Sequence, residues 1–394
     1  MVAKYRSVLS VPGSLRLLIS ALFGRLPQGM ASLAILLLVR ETTHSYAAAG
    51  VAVGAYTLAN ATGAPIQGRL VDRFGQAWVL VPSACLQASM LVGLVVAANT
   101  GAHAAILVVL AALAGAFAPP IAPTVRALLR EVFHDPHVLD SAYALDAVLQ
   151  EVIWTVGPLV VAVVIAVASP SAAVLLLGVI YVLGTSIFVR APLARGSQRR
   201  RSAGERGSAL ASRELRTLLL PVLMMGISLG GIEVGLPSLA LHAGSRPASG
   251  VLLALWAVGS MIGGLWYGSR QWQAPLAERY RMLLMLAVVF TAPLILAHTI
   301  PVGLVCSLVA GLTTAPVFSC QYALVSRAVV RGTETEAFTW VSAALIGGLA
   351  VGTALGGAAI AVDGVSAAFV LATTAYLLSA LMALRLRERV PQLA

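Results

Sequence analysis

The sequence predicts an all-α membrane protein whose twelve transmembrane helices form two six-helix halves in parallel repeat. Three observations predict it. The 394 residues are 59% hydrophobic and only 10% charged, with a mean hydropathy of +0.92, far from the composition of a domain whose main solvent is water. Apolar runs of roughly 20 residues, enough to cross a bilayer core of about 30 Å, recur along almost the whole chain. Glycines and prolines of the first half return in the second at constant offsets.

The twelve spans centre near Gly24, Tyr56, Ser89, Leu113, Thr155 and Ile180, then Ser228, Val258, Val289, Thr314, Leu349 and Tyr376. The opening segment, Ser14 to Val39, is too long for a signal-peptide core and lacks an A-x-A cleavage site, so it is expected to stay as the first span. Aromatic residues and strand alternation are too sparse for a membrane barrel, which leaves a helical bundle.

The net charge of +11 is a matter of topology. With an even number of spans and a cytoplasmic N-terminus, Lys4, Arg6, Arg69, Arg73, Arg126, Arg130, the Arg190 to Arg216 stretch, Arg270, Arg279, Arg281, Arg327, Arg331 and Arg385 to Arg389 all face one side, against Arg40 and Arg246 on the other. That asymmetry follows the positive-inside rule and places both termini in the cytoplasm of a bacterial-type inner membrane. It leaves nucleic acid no role as a partner. Cys85, Cys306 and Cys320 fall within spans without metal-ligand spacing and read as small buried apolar residues, with no disulfide expected.

The repeat fixes the organisation. Gly50, Gly63 and Gly68 correspond to Gly250, Gly263 and Gly268; Gly115 and Pro120 to Gly311 and Pro316; Ala142-Tyr143 and Gly157 to Ala337-Phe338 and Gly352. The halves are residues 1–190 and 214–394, joined by a polar cytoplasmic linker, 191–213, whose Arg199-Arg200-Arg201 run reads as a topology signal. Small-residue ridges at Gly50 and Gly54, Gly259 and Gly263, and Gly348, Gly352 and Gly356 suit an interface where the halves rock against each other.

Between the second and third spans the chain reads Gly68-Arg69-Leu70-Val71-Asp72-Arg73-Phe74-Gly75, which resembles the loop motif G-x-L-x-D-R-x-G-R-K of the major facilitator superfamily, at the place where that family carries it. Gln76 and Ala77 stand where the family has its basic pair. The resemblance implies the major facilitator fold, transport by alternating access, and a conformational latch made of Gly68, Asp72, Arg73 and Gly75. Gly157-Pro158 is similar to the core of the antiporter motif G-x-x-x-G-P-x-x-G-G, with Ile153, Val161 and Ala162 at its other glycine positions. Ala111 stands where R-x-x-Q-G would supply a proton-coupling arginine, although Gly115 matches its glycine.

Ionisable residues inside a bilayer are costly and point to function. Arg25 lies near the midplane of the first span and Glu151 about 12 Å into the fifth, with Asp146 and Gln150 nearer the cytoplasmic end. In the resembling fold the first span lines the central cavity, so Arg25 is expected to pair with Glu151. The proton-coupling set is Glu151, Arg25, Asp146 and Glu233, the last in a glycine- and proline-rich stretch, Gly230 to Pro237, that permits a broken helix. Gln28, Tyr56, Asn60, Gln150, Trp154, Trp256, Gln321 and Tyr322 are the candidate substrate-binding residues of a mixed polar and apolar pocket, each also compatible with packing. Met224 and Met225 add adaptable surface.

No Walker motif is present and Lys4 is the sole lysine, so no P-loop energises transport, and no enzyme constellation competes. The His134-Asp135-Pro136-His137 run with Asp140 reads as capping and solvated residues, with no metal assigned. The expectation is a cofactor-free secondary transporter, acting as a single copy in the lipid bilayer, that exports a drug-like amphipathic or cationic compound against protons. The alternatives are a proton-coupled or facilitative importer of a small metabolite and, more remotely, a non-transporting membrane sensor or enzyme.

Overall fold

The computed structural model describes residues 2–195, 207–330 and 332–386, with side chains from Tyr5 onward. The Arg199-Arg200-Arg201 run, Arg331, the arginines at 387 and 389 and the side chain of Lys4 lie outside the described residues.

Long helices dominate, and no strand occurs among the described residues. Before the linker run α1 (Val2–Ser10), α2 (Ser14–Thr43), α3 (Tyr46–Phe74), α4 (Gln76–Asn99), α5 (Ala104–Ala116), α6 (Ile121–Val132), α7 (Pro136–Val167) and α8 (Pro170–Arg190). After it run α9 (Arg213–His242), α10 (Arg246–Gly268), α11 (Leu276–Thr291), α12 (Ile300–Gly311), α13 (Thr314–Ala328), α14 (Glu334–Asp363) and α15 (Val365–Met382). Eleven helical segments among the described residues are long and apolar enough to cross a membrane. The helix α3, 29 residues long, falls outside that set because Thr57, Asn60, Thr62 and Gln67 dilute its hydropathy.

Two expected spans are broken helices. The fourth divides into α5 and α6 at Phe117–Pro120, where consecutive prolines cannot donate backbone N–H groups to the preceding turn. The tenth divides into α12 and α13 at Leu312 and Thr313. Each break puts the start of a new helix inside the bundle, with unpaired backbone N–H groups to be satisfied. The Gly230 to Pro237 stretch, expected to break, is continuous within α9. Its glycines serve close packing: Gly230 faces the backbone of α14 near Leu349 and Gly352, and Gly235 faces the Phe369 ring.

Helices before the linker pack chiefly on one another, α2 on α7 and α8, α4 on α5 and α8, and α3 on α5. Those after it do the same, α9 on α14 and α15, α10 on α12, and α11 on α13 and α15. Matched glycines occupy matched contacts. Gly115 abuts the backbone of Tyr56 and Gly311 that of Trp256, while Gly63 meets Ala116 and Gly263 meets Leu312.

The small-residue ridges therefore do a different job from the one expected. Gly259 and Gly263 seat α12, and Gly348 and Gly352 seat α9, all within the second set of helices; nothing lies within 4 Å of a Cβ built on Gly50 or Gly54. Contacts between the two sets run through α3 with α14, α7 with α10 and α13, and α6 with α14. They include Gly68 against Thr339 and Glu336, Gly264 against Val148, and Gly268 against Ala144 and Tyr5. All lie toward the linker end. At the other end Gly50, Gly250 and Gly357 have no such neighbour, and Val163, Val167, Val251, Leu355 and Val362 are exposed. Among the described residues, close contacts between the two sets gather at the linker end, and these glycines show none at the opposite end. Cys85 is exposed on α4 rather than buried, because the helix turns it outward; Cys306 is half-buried and Cys320 buried, and all three are free.

Candidate functional site: a closed gate beneath a charged centre

The turn between α3 and α4 forms the first half of the gate. Gly75 adopts φ 88°, a region favouring glycine, which lets α3 end and α4 begin within one residue. Asp72 then accepts hydrogen bonds from the backbone N–H groups of Thr335 (3.1 Å) and Glu336 (2.8 Å), the opening turn of α14, across the interface. A carboxylate at a helix N-terminus satisfies orphan donors and opposes the macrodipole. Arg69, on the turn of α3 before Asp72, pairs with Glu336 at 2.7 Å and donates to Ser208 Oγ at 3.0 Å. Gly68 fits beneath Thr339, where a Cβ would meet Thr339 Oγ1 at 2.6 Å. Arg73 takes no part in this contact: its guanidinium lies over the Phe74 ring on the exposed surface. Gln76, where the resembling family has a basic residue, is buried and donates to the carbonyl of Ala194.

A second contact closes the opposite side of the same end. Arg279 of α11 places Nη1 and Nη2 at 3.1 and 3.0 Å from Asp140 Oδ2 on α7, and Nη1 also meets the Tyr267 hydroxyl at 3.2 Å. Ser141 Oγ donates to the carbonyl of Gly268 at 2.9 Å, and the Tyr5 hydroxyl of α1 donates to that of Leu265 at 2.9 Å. Asp140 therefore joins the two sets of helices at the linker end. Asp135 instead caps α7, accepting from the His137 N–H at 2.8 Å.

Deeper lies an ion cluster. Asp146 of α7, fully buried, pairs with Arg25 of α2 and, at 2.9 Å, with Arg126 Nε of α6. This corrects the expected pairing of Arg25 with Glu151: Asp146 lies five residues earlier on the same helix and meets both guanidinium groups. The cation at 126, expected on the cytoplasmic face, is buried because the proline break starts α6 inside the bundle. Its guanidinium lies 3.8 Å from the centroid of the Tyr322 ring on α13. Tyr322 also packs on Phe318, Tyr143 and Phe338 and lies within electrostatic reach of Arg25, Arg126, Asp146 and Glu151. Two arginines against one aspartate leave an excess positive charge, and Arg25 Nε and Nη1 have no hydrogen-bond partner among the described residues.

Glu151, one and a half turns beyond Asp146, accepts a hydrogen bond from Ser260 Oγ of α10 at 3.0 Å. Ser260 in turn accepts from the backbone N–H of Ala315 at 3.1 Å, in the first turn of α13. The remaining candidates divide. Gln150 and Gln321 are buried with neither amide atom partnered, as is the indole N–H of Trp256. Gln28 and Asn60 are half-buried and Trp154, midway along α7, is exposed. Tyr56 belongs to the core before the linker and receives a 3.3 Å hydrogen bond from Gln87, so it packs rather than faces the interface. Glu233 is exposed on an unbroken helix.

Sequence reading missed Arg126, Asp140, Ser260, Arg279 and Glu336. A signal for Arg126 existed in the repeat: it is offset from Tyr322 by the 196 residues that separate Gly115 from Gly311.

The fold matches solved transporter structures over nearly its whole length. The human organic anion transporter MFSD10 (TETRAN) superposes with a TM-score of 0.75 at 17% identity, covering 94% of this chain and 99% of that one. A bacterial homologue of the iron transporter ferroportin, solved in an outward-facing state, gives 0.77 at 15% identity, covering 95% and 99%. At such identities the likeness is one of fold. No curated protein matches the sequence. The family model for the Major Facilitator Superfamily matches residues 17–273, and the chain belongs to that superfamily of multi-pass membrane transporters.

Proposed function

We propose that the protein is a proton-coupled antiporter that exports a small amphipathic or cationic compound by alternating access. On this reading α3 is the second span and brings the number to twelve, the halves are residues 1–190 and 214–394 about the 191–213 linker, and one copy suffices. The closed linker end faces the cytoplasm and the open end faces outward across the inner membrane.

One observation carries the reading: Glu151 is a carboxylate set deep in the bundle, above a closed gate and below an open mouth, without the arginine partner that its neighbour Asp146 has. Asp146 is held between two guanidinium groups and serves structure, whereas Glu151, bound by a single hydroxyl, serves exchange. A proton and a cationic solute compete for one carboxylate, and exchange follows. Gln28, Asn60, Gln150, Trp154, Trp256, Gln321 and Tyr322 supply polar and aromatic surface around it. Glu233 is demoted by its exposure.

The second reading, an importer of a small metabolite, gains from the excess charge of the Arg25, Arg126 and Asp146 cluster, whose unpartnered N–H groups suit a carboxylate-bearing solute. That reading agrees with the organic anion transporter among the structural neighbours. Purified protein in liposomes with an imposed pH gradient separates the two. Accumulation of labelled lipophilic amines driven by the gradient and blocked by an uncoupler supports export, whereas accumulation of labelled carboxylates alone supports the importer. No flux of either class, with ligand binding retained, would favour a sensor.

A further inference from the structure

Ser260 occupies a position whose hydrogen-bonding roles are fixed by its surroundings. Its oxygen accepts from the Ala315 N–H, a donor left over because the tenth span breaks and α13 begins inside the bundle. With that acceptance made, the hydroxyl proton points to Glu151. The carboxylate is thereby tied, through one hydroxyl, to the N-terminal turn of α13, where the helix dipole favours negative charge. Both Ser260 and Ala315 belong to the second set of helices, and Glu151 to the first. Ser260 is only 1% exposed and Glu151 8%. The bond also sits on the crossing that closes the gate, since Gly264, one turn further along α10, packs on Val148, and Gly268 packs on Ala144.

The repeat shows that this arrangement is not a general property of the fold. Under the 200-residue offset Ser260 corresponds to Asn60, and under the 195-residue offset Glu151 corresponds to Ile346. The equivalent crossing of α3 and α14 has no carboxylate at this depth.

We infer that Ser260 is the positioning residue through which the protonation of Glu151 is read by the gate: the charged carboxylate ties α7 to α10, and a proton arriving through the open mouth releases the tie. The inference rests on Glu151 as the proton site proposed above. The other titratable groups facing Glu151 are Tyr322 from α13 and Tyr376 from α15, and Tyr322 in turn lies within electrostatic reach of Arg25 from α2, Arg126 from α6 and Asp146 on α7 itself. Arg25 and Arg126 are engaged by Asp146, and none of these groups donates a hydrogen bond to Glu151.

The test follows the gate directly. Spin labels at the exposed positions His137 and Arg270, with Cys85 and Cys306 replaced by serine, report the separation of α7 and α10 at the linker end in detergent or nanodiscs from pH 5 to 9. The parent protein is expected to shift from short to long distances as pH falls. Ser260→Ala should cut that link and leave the distances independent of pH, and Ser260→Thr should restore the dependence. Glu151→Gln should remove the titration, and adding Ser260→Ala to it should change nothing further. A Ser260→Ala pH dependence equal to the parent's, with the titration still abolished by Glu151→Gln, overturns the role of Ser260 and leaves Glu151 as the proton site. Titration that survives Glu151→Gln overturns both. Should Ser260→Ala alone lose its fold, the threonine variant decides: a pH dependence lost despite the retained hydroxyl counts against the proposal.

Discussion

The crossings of α3 with α14 and of α7 with α10 stand at equivalent places in the repeat, and they close the same end of the bundle by different means. The first sets an exposed cation on a buried carboxylate: Arg69, 57% exposed, meets Glu336, 1% exposed, beside Asp72 on the opening turn of α14. Beside the second the cation itself is buried: Arg279 of the neighbouring α11, 4% exposed, meets Asp140 of α7, and polar contacts continue up α7 through the Asp146 cluster to Glu151, eleven residues or about 16 Å beyond Asp140. The repeat thus supplies two contacts at the linker end, while the deep carboxylates Asp146 and Glu151 stand on one side only. Function is expected to be correspondingly lopsided.

The largest effect should come from the cluster at the base of that second crossing. Asp146→Asn leaves Arg25 and Arg126 buried with no countercharge, and breaking a buried ion network by removing one partner costs about 3–5 kcal/mol. We expect low yield and a fall of several degrees in the melting midpoint followed by size-exclusion chromatography, even in the absence of transport. A variant as stable as the parent would mean that the two guanidinium groups find other acceptors. Glu151→Gln should behave differently, folding normally and binding solute but failing to accumulate it against a pH gradient in inside-out vesicles. Parental accumulation would move the proton site elsewhere.

The gate contacts come next and test the asymmetry itself. Asp72→Asn keeps one hydrogen-bond acceptor for the α14 turn but loses the charge, and Arg279→Gln leaves Asp140 alone. Both proteins should insert and fold. Because buried charge pairs count for more than exposed ones, transport should fall roughly tenfold for Arg279→Gln and somewhat less for Asp72→Asn. Exchanging the pair, Asp140→Arg with Arg279→Asp, should recover part of the loss. Equal losses at both crossings, without recovery, would make the two contacts equivalent after all.

Much of this was legible in the sequence. Span lengths, the glycine and proline offsets and the loop from Gly68 to Gly75 carried the family, the repeat and the position of Asp72. Depth along a helix also singled out Arg25, Asp146 and Glu151. Their partners were not legible, because depth gives a distance from the membrane surface and not a rotational facing. Asp146 and Glu151 are five residues apart, about 500° of helical turn, so they face directions about 140° apart, and only the packing of α2 and α6 decides which one meets Arg25. Ser260 was invisible for another reason: a serine in an apolar helix looks like any small residue until the break in the tenth span supplies the N–H that fixes its role.

The smallest effect is expected at Arg73, and it separates resemblance from geometry. The resembling loop motif carries an arginine next to its aspartate, and on that ground Arg73 joined the latch. Here Asp72 and Arg73 are adjacent on the last turn of α3, so their side chains diverge by about 100° around the helix. With Asp72 turned to α14, Arg73 is turned away, onto the Phe74 ring with its centroid 5.1 Å from the guanidinium carbon. An exposed cation on an aromatic face is worth about 0.5–1 kcal/mol, and at the membrane surface its charge adds a contribution to lipid attraction of about 1 kcal/mol. Neither contribution differs between an open and a closed gate if Arg73 moves with α3 as a body. Arg73→Gln should therefore leave transport within about twofold of the parent, while Arg69→Gln, four residues earlier and facing Glu336, should reduce it several-fold. Measured side by side at equal expression, a loss at Arg73 as deep as that at Asp72 would place Arg73 in the gate in a conformation other than this one.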